Sequence, residues 1–199
     1  MVFHWKRRLA WFVRWFHIYC SMFCLAAMIF FGVTGFTLNH PDWFYGGYED
    51  RNSLKGSLDA QMVQGEPEKI DKLGVVEALR SGGVERGRLA DFQIDDNQCV
   101  VTFKGPGYSA DAFIERESGN FEIQIVRMGL VAVLNDLHKG RDSGPQWSLL
   151  IDISAIATTI VALSGVVLLL YIKRRLLPGL IVGLAGLGGM LLVWKLWVS

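Results

Sequence analysis

The sequence has few of the residues that many catalytic motifs require. Three cysteines among 199 residues, with no pair at Cys-x-x-Cys spacing, support neither a disulfide framework nor a zinc cage. There is no Walker A loop, no GxGxxG following a strand, no HExxH, no GxSxG and no CxxCH. Phosphate cradling, zinc proteolysis and serine hydrolysis through those motifs are thereby excluded. A net charge of only +1 and the lack of a basic–aromatic patch argue against nucleic acid as a partner. Histidine occurs four times, as His4, His17, His40 and His138.

What is abundant is apolar surface. Half of the chain, 51%, is hydrophobic, 20% is charged, and the mean hydropathy is +0.30. That is too apolar for disorder and unusual for a soluble domain. Three stretches reach the roughly 20 apolar residues that a bilayer requires. The first, Trp15 to Leu38, has no Asp, Glu, Lys or Arg. The second, Trp147 to Ile172, carries a single acid, Asp152. The third runs from Leu176 to about Trp194.

Charge sets the expected orientation. Segment 41–145 holds 18 of the 19 acidic residues against 12 basic ones, a net of −6. Lys6, Arg7, Arg8 and Arg14 precede the first span, and Lys173, Arg174 and Arg175 separate the second from the third. Basic residues in short flanking segments stay cytoplasmic. The N-terminus is therefore expected inside, the acidic segment outside, the 173–177 turn inside and the C-terminus outside. Trp5, Trp11 and Trp15 fit one interfacial belt, Trp43 and Trp147 the other. The first apolar run is too long for a cleaved signal peptide and reads as an anchor.

The outer segment reads as a small α+β domain. Ile70 to Arg80 places Ile70, Leu73, Val76 and Leu79 on one helical stripe, ended by Gly82-Gly83. Four strand-like runs follow, LADFQI, CVVTF, SADAFIE and NFEIQIV, separated by Asp- and Gly-rich turns. Gly46 to Glu68 reads as a linker or loosely held loop. One helix and a meander bury little alone, so the domain is expected to lean on the membrane segments or a partner. The expected organisation is 1–14 cytoplasmic, 15–40 first span, 41–69 linker, 70–126 outer domain, 127–145 juxtamembrane helix or loop, 146–172 second span, 173–177 turn and 178–197 third span.

The run RWFHIYCSMFCLAAMIFFGVTGFTLNHPDW resembles the opening helix of the PepSY-associated transmembrane family. The junction LNDLHKGRDSGPQWSLLIDISAIATTIVALSGVVLL is similar to the family's second one. His17, Thr34-Gly35, Asn39-His40-Pro41, Leu137-His138 and Ser164-Gly165 fall in the family's order, and the resemblance covers essentially the whole chain in its short, three-helix version. It implies an α-helical membrane protein with three transmembrane helices and a small extracytoplasmic α+β PepSY-like domain between helices 1 and 2. It also implies two different functions. Longer relatives are associated with transmembrane electron transfer through b-type haem held by histidines. PepSY modules elsewhere are associated with inhibiting or regulating peptidases.

On their own chemistry, neutral imidazoles suit haem iron, and a pair of them favours electron transfer by leaving no open iron position. His17 and His40 are 23 residues apart, or about 35 Å of continuous helix, and cannot share one iron. His40 and His138 are both expected outside and form the best intramolecular pair. His17 has no evident partner within the chain, and a second subunit can supply another, giving haem sites at both faces. Arg141 on the outer side and Arg14 on the inner side are candidates for haem propionates. Any haem is held noncovalently, and a dinucleotide or flavin belongs to a partner. The alternatives are equally concrete: Asn39-His40-Pro41 stops a helix without any cofactor, and Leu137-His138-Lys139-Gly140 reads as a helix C-terminus.

Gly32, Thr34, Gly35, Ser164 and Gly165 allow close approach of a macrocycle or of another helix. Gly179 and Gly183 form a GxxxG face that suits a homodimer. Asp152, the one acid within a span, suits proton movement or contact with Arg141 or His138. Cys20 and Cys24 read as packing residues. The expectation is therefore a bacterial inner-membrane component of an oxidoreductase that passes electrons to or from an extracytoplasmic redox protein or flavoprotein. The alternative is a cofactor-free tethered module that binds a peptidase or another membrane or periplasmic protein.

Overall fold

The computed structural model describes residues 2–44 and 49–198, without the side chains of residues 2–4 and 6. The side chains of His4 and Lys6, and Gly46 at the start of the expected linker, lie outside the described residues.

Helix α1 runs from Val2 to Asn39. It starts well before Trp15 because no glycine or proline interrupts residues 2–14. It ends at Asn39 because the Pro41 ring disfavours helical geometry at His40. A single helical turn, α2 (Pro41–Phe44), follows. Late in the chain come α5 (Pro145–Leu170), opened by a proline whose missing N–H costs nothing there, and α6 (Lys173–Val193), which runs on through a π-turn at Trp194–Val198. The expected turn at 173–177 is already helical, and Pro178 sits inside α6. Three segments, Arg7–Asn39, Pro145–Leu170 and Lys173–Val198, are long and apolar enough to cross a membrane.

The chain divides into two compact units, Met1–Ile29 with Asp152–Ser199, and Phe30–Ile151. In the first, Cys24 and Val161 are buried, and Gly179 of α6 is filled by Leu169 of α5, which would lie 2.7 Å from an added Cβ. Gly183, Gly186, Gly188 and Gly189 face open space. Gly179 and Gly183 therefore do not form one open face.

The second unit is built on a five-stranded antiparallel sheet. Its strands are β1 (Glu49–Ser57), β2 (Arg88–Ile94), β3 (Gln98–Gly105), β4 (Tyr108–Glu115) and β5 (Asn120–Met128), in the spatial order β1-β5-β4-β3-β2. β2 to β5 occupy the four runs expected from the sequence. β1 does not: it forms where a loose linker was expected. EDRNSLKGS lacks apolar alternation, and the strand is held by main-chain pairing with β5 from Glu49↔Met128 to Ser57↔Asn120. Its charges suit an edge that must not pair with a further chain.

Helix α3 (Lys72–Ser81) starts two residues later than expected, capped by Asp71, whose carboxylate accepts from Gly74 N–H at 3.0 Å. A stripe spaced by three residues drifts around a helix of 3.6 residues per turn, so its members do not all share the buried face. Val75 and Leu79 are fully buried, Val76 is partly covered, and Leu73 is 70% exposed instead of core. This face closes over Cys99, Val101, Phe103, Ala110, Ala112, Ile114, Ile123 and Ile125. Val63, also from the expected linker, is fully buried within that core, and Leu58 and Met62 pack against it. The domain thus encloses a core of its own.

Helix α4 (Leu130–Lys139) follows β5 directly and ends at Gly140 in the left-handed conformation, φ +68. It is clasped to the β3–β4 turn, where Gly107 N–H donates to Asp136 Oδ2 at 2.9 Å. Gly107 is itself left-handed (φ +63), and an added Cβ would run into Val133 of α4.

Candidate functional site

His138 lies in the last turn of α4, beside the C-terminal part of α1. Its Nδ1 is 2.6 Å from Thr34 Oγ1, its ring meets Phe31 edge-on at 5.1 Å, and its Cε1 would lie 3.6 Å from a Cβ on Gly35. Thr34 is 3% exposed. One turn further along, Thr37 Oγ1 lies 2.9 Å from Thr34 O and 2.7 Å from Oδ1 of the buried Asn135, a second polar tie between the same helices. Trp147, at the start of α5, turns its indole N–H to Leu137 O at 2.7 Å and packs on Phe30. It is thus half-buried against its neighbours.

His17 has an arrangement of the same kind. Its Nδ1 is 2.8 Å from Ser164 Oγ on α5, and its Cε1 would lie 3.2 Å from a Cβ on Gly165. This is an intramolecular partner that the sequence reading did not find.

His40 is held locally. Its Nδ1 lies 3.1 Å from Phe36 O, one turn back on α1, and its ring is flanked by Phe36 at 4.5 Å and Trp43 at 4.3 Å. Among the described residues, no contact joins His40 to His138; the expected pair has its Nδ1 atoms committed to different partners. Arg14, Arg141 and Asp152 are exposed. Cys20 is half-buried, Cys24 and Cys99 are buried, and all three thiols are free. Gly32 has nothing within 4 Å of an added Cβ, so it does not share the notch at Gly35. No group of three or more His, Cys, Asp or Glu converges among the described residues.

The hydrogen-bond directions fix the state of all three rings. Thr34 donates its only hydroxyl proton to Phe30 O at 2.6 Å, so its oxygen can only accept from His138. Ser164 donates to Val161 O at 2.7 Å and likewise can only accept from His17. Phe36 O is a carbonyl and accepts from His40. In its neutral form each imidazole therefore carries its proton on Nδ1. The Nε2 of that form keeps a lone pair, with no partner among the described residues. That is the donor set of a metal-ligating histidine whose other nitrogen is oriented by an oxygen. Such nitrogens would suit haem iron, which would supply a one-electron couple if two of them held it.

Sequence reasoning treated Thr34 and Ser164 as small residues and missed them as hydrogen-bond partners. The signal was present: each is a hydroxyl residue followed by glycine inside an otherwise apolar helix.

Neither curated proteins nor solved structures yield a match. The sequence model of the PepSY_TM-like family matches residues 8–199, taking in the long apolar helices, the sheet and both hydroxyl–histidine contacts. The chain belongs to the PepSY_TM-like family.

Proposed function

We propose that this protein is a membrane electron carrier that holds b-type haem noncovalently through histidine Nε2 atoms. The observation that carries the reading is the common state of the three rings. Each Nδ1 faces an oxygen placed to accept from it, and in the neutral ring that leaves Nε2 with a lone pair. His138 and His40 are the ligands of an outer haem, and His17 is the ligand of an inner one completed by the same residue of a second copy. Exposed Arg141 and Arg14 offer guanidinium groups to propionates on the two sides. Haem supplies a one-electron iron couple, and bis-imidazole ligation favours transfer over oxygen chemistry.

The charge pattern supports a bacterial inner-membrane location. The N-terminus and Lys173-Arg174-Arg175 lie in the cytoplasm, and the sheet domain, a PepSY-like module, lies outside with the C-terminus. The redox partner is an extracytoplasmic protein or flavoprotein. The small-residue face of α6 around Gly183, Gly186 and Gly189 is the surface for a second copy.

One observation favours a second reading, a cofactor-free tethered module. The sheet domain closes its own core and contains no histidine, so binding of a peptidase or another protein there needs none of the three rings. The visible spectrum of the detergent-purified protein separates the two. A sharp Soret band that shifts on dithionite reduction, with resolved α and β bands, is the result expected of a carrier. A flat spectrum after haem-supplemented expression overturns the carrier and favours the module.

A further inference from the structure

The contacts of His138 and His17 share more than a hydroxyl partner. In both, Nδ1 meets the hydroxyl of one residue while Cε1 closes on the glycine that follows it. The pairs are Thr34–Gly35 for His138 and Ser164–Gly165 for His17. The histidines come from different helices, α4 and α1, and so do the hydroxyls, α1 and α5. In both, the hydroxyl proton is already bound to a carbonyl of its own helix, Phe30 O or Val161 O. His40 has no such partner and bonds a carbonyl of its own helix. A bond that only glued two helices would leave the direction of the donor open. Here the direction is fixed twice, and in the same sense.

We infer that Thr34–Gly35 and Ser164–Gly165 are positioning pairs that hold His138 and His17 in the Nδ1–H tautomer, leaving Nε2 able to bind iron. Free neutral imidazole exchanges between two tautomers, and only one of them presents a lone pair on Nε2. A hydroxyl that can only accept stabilises that one. At Gly165 the glycine contributes by absence, since an added Cβ would stand 3.2 Å from His17 Cε1, whereas at Gly35 it would stand 3.6 Å from His138 Cε1, an ordinary contact. The tautomer follows from the hydrogen bonds alone; its consequence for iron rests on the haem reading above.

The test uses the full chain in detergent, labelled with 15N-histidine and free of haem. Long-range 1H–15N correlations report which ring nitrogen carries the proton. Wild-type His138 and His17 are expected as Nδ1–H. Thr34→Val removes the acceptor with little change of shape and releases His138 to mixed tautomers, whereas Thr34→Ser keeps Nδ1–H. Ser164→Ala does the same to His17, and Ser164→Thr restores it. Haemin titration then reads the consequence: loss of such an orienting partner weakens metal binding by about 10- to 100-fold. Rescue by the hydroxyl-bearing variants separates positioning from packing. Wild-type rings found as Nε2–H, or a Thr34→Val protein with His138 still Nδ1–H and haem affinity within about twofold of wild type, overturn the proposal. A wild-type chain that holds Nδ1–H but takes up no haem supports the tautomer assignment and overturns the haem reading instead.

Discussion

His17 Nδ1 and Ser164 Oγ meet at 2.8 Å across 147 residues of chain, with Gly165 bringing the helix backbone up to the imidazole edge. The contact defines how much space the first unit leaves for the ring. An added Cβ at Gly165 stands 3.2 Å from His17 Cε1, tighter than ordinary packing, whereas one at Gly35 stands 3.6 Å from His138 Cε1, an ordinary contact. Gly35→Ala is therefore expected to change stability by no more than about 0.5 kcal/mol. Gly165→Ala is expected to push on the ring and cost about 1 kcal/mol or more through overpacking. Thermal unfolding in detergent measures both, and equal effects of the two substitutions would contradict the geometry.

The clasp between α4 and the sheet makes a second prediction. Gly107 combines a left-handed φ of +63 with close approach to Val133, so Gly107→Ala is strained both in backbone and in space. Asp136→Ala leaves Gly107 N–H without its charged acceptor, at a cost of about 1.5–3 kcal/mol. Either variant should lower the unfolding temperature of the sheet domain. Asp136→Asn keeps an acceptor oxygen and should recover part of the loss.

Core packing makes a third. Leu79 is fully buried between α3 and the sheet, and Leu79→Ala is expected to cost about 2–5 kcal/mol. Leu73→Ala, one and a half turns earlier on the same helix, removes a side chain that is 70% exposed and should cost less than about 0.5 kcal/mol. Unfolding by urea, monitored by sheet circular dichroism, distinguishes the two positions. The reverse ranking would return the helix to the phase read from the sequence.

Alkaline pH gives a fourth. Burial raises the Cys99 thiol above its ordinary 9.0, so the folded chain retains a proton that the unfolded chain loses. The contribution is intact below pH 9 and is lost as pH climbs through the raised value of the folded state. Stability of the sheet domain should fall as pH rises above 9, and less steeply in Cys99→Ala. Tyr108, also raised by burial from 10.0, adds a further fall at higher pH. In the native protein Cys99 should resist a thiol reagent until the sheet opens, and prompt labelling at neutral pH would count against this burial.

The long helices and four of the strands were legible because period and composition announce them. Trp15 to Leu38 contains no charge, and CVVTF or NFEIQIV alternates between turn residues. β1 was not legible, because its stability comes from the main chain of β5 and not from its own side chains. Leu73 is not on the buried face of α3 because the three-residue spacing of Ile70, Leu73, Val76 and Leu79 drifts around a helix of 3.6 residues per turn. At the site, the histidines stood out by rarity and the glycines by size. Thr34 and Ser164 did not, since a hydroxyl in an apolar helix most simply bonds its own backbone. Both do so, and the second role of each oxygen needs a helix distant in sequence.

The register of β1 on β5 has a consequence for how such chains are assembled. Glu49 and Met128, first and last residues of the sheet, are direct partners across the two strands. The eighty-residue excursion between them thus returns to its starting point, and its two ends leave side by side. Seen from either flanking helix, the excursion is equivalent to a tight turn. A segment with that property can be excised, duplicated or exchanged as a cassette, with a few residues closing the gap.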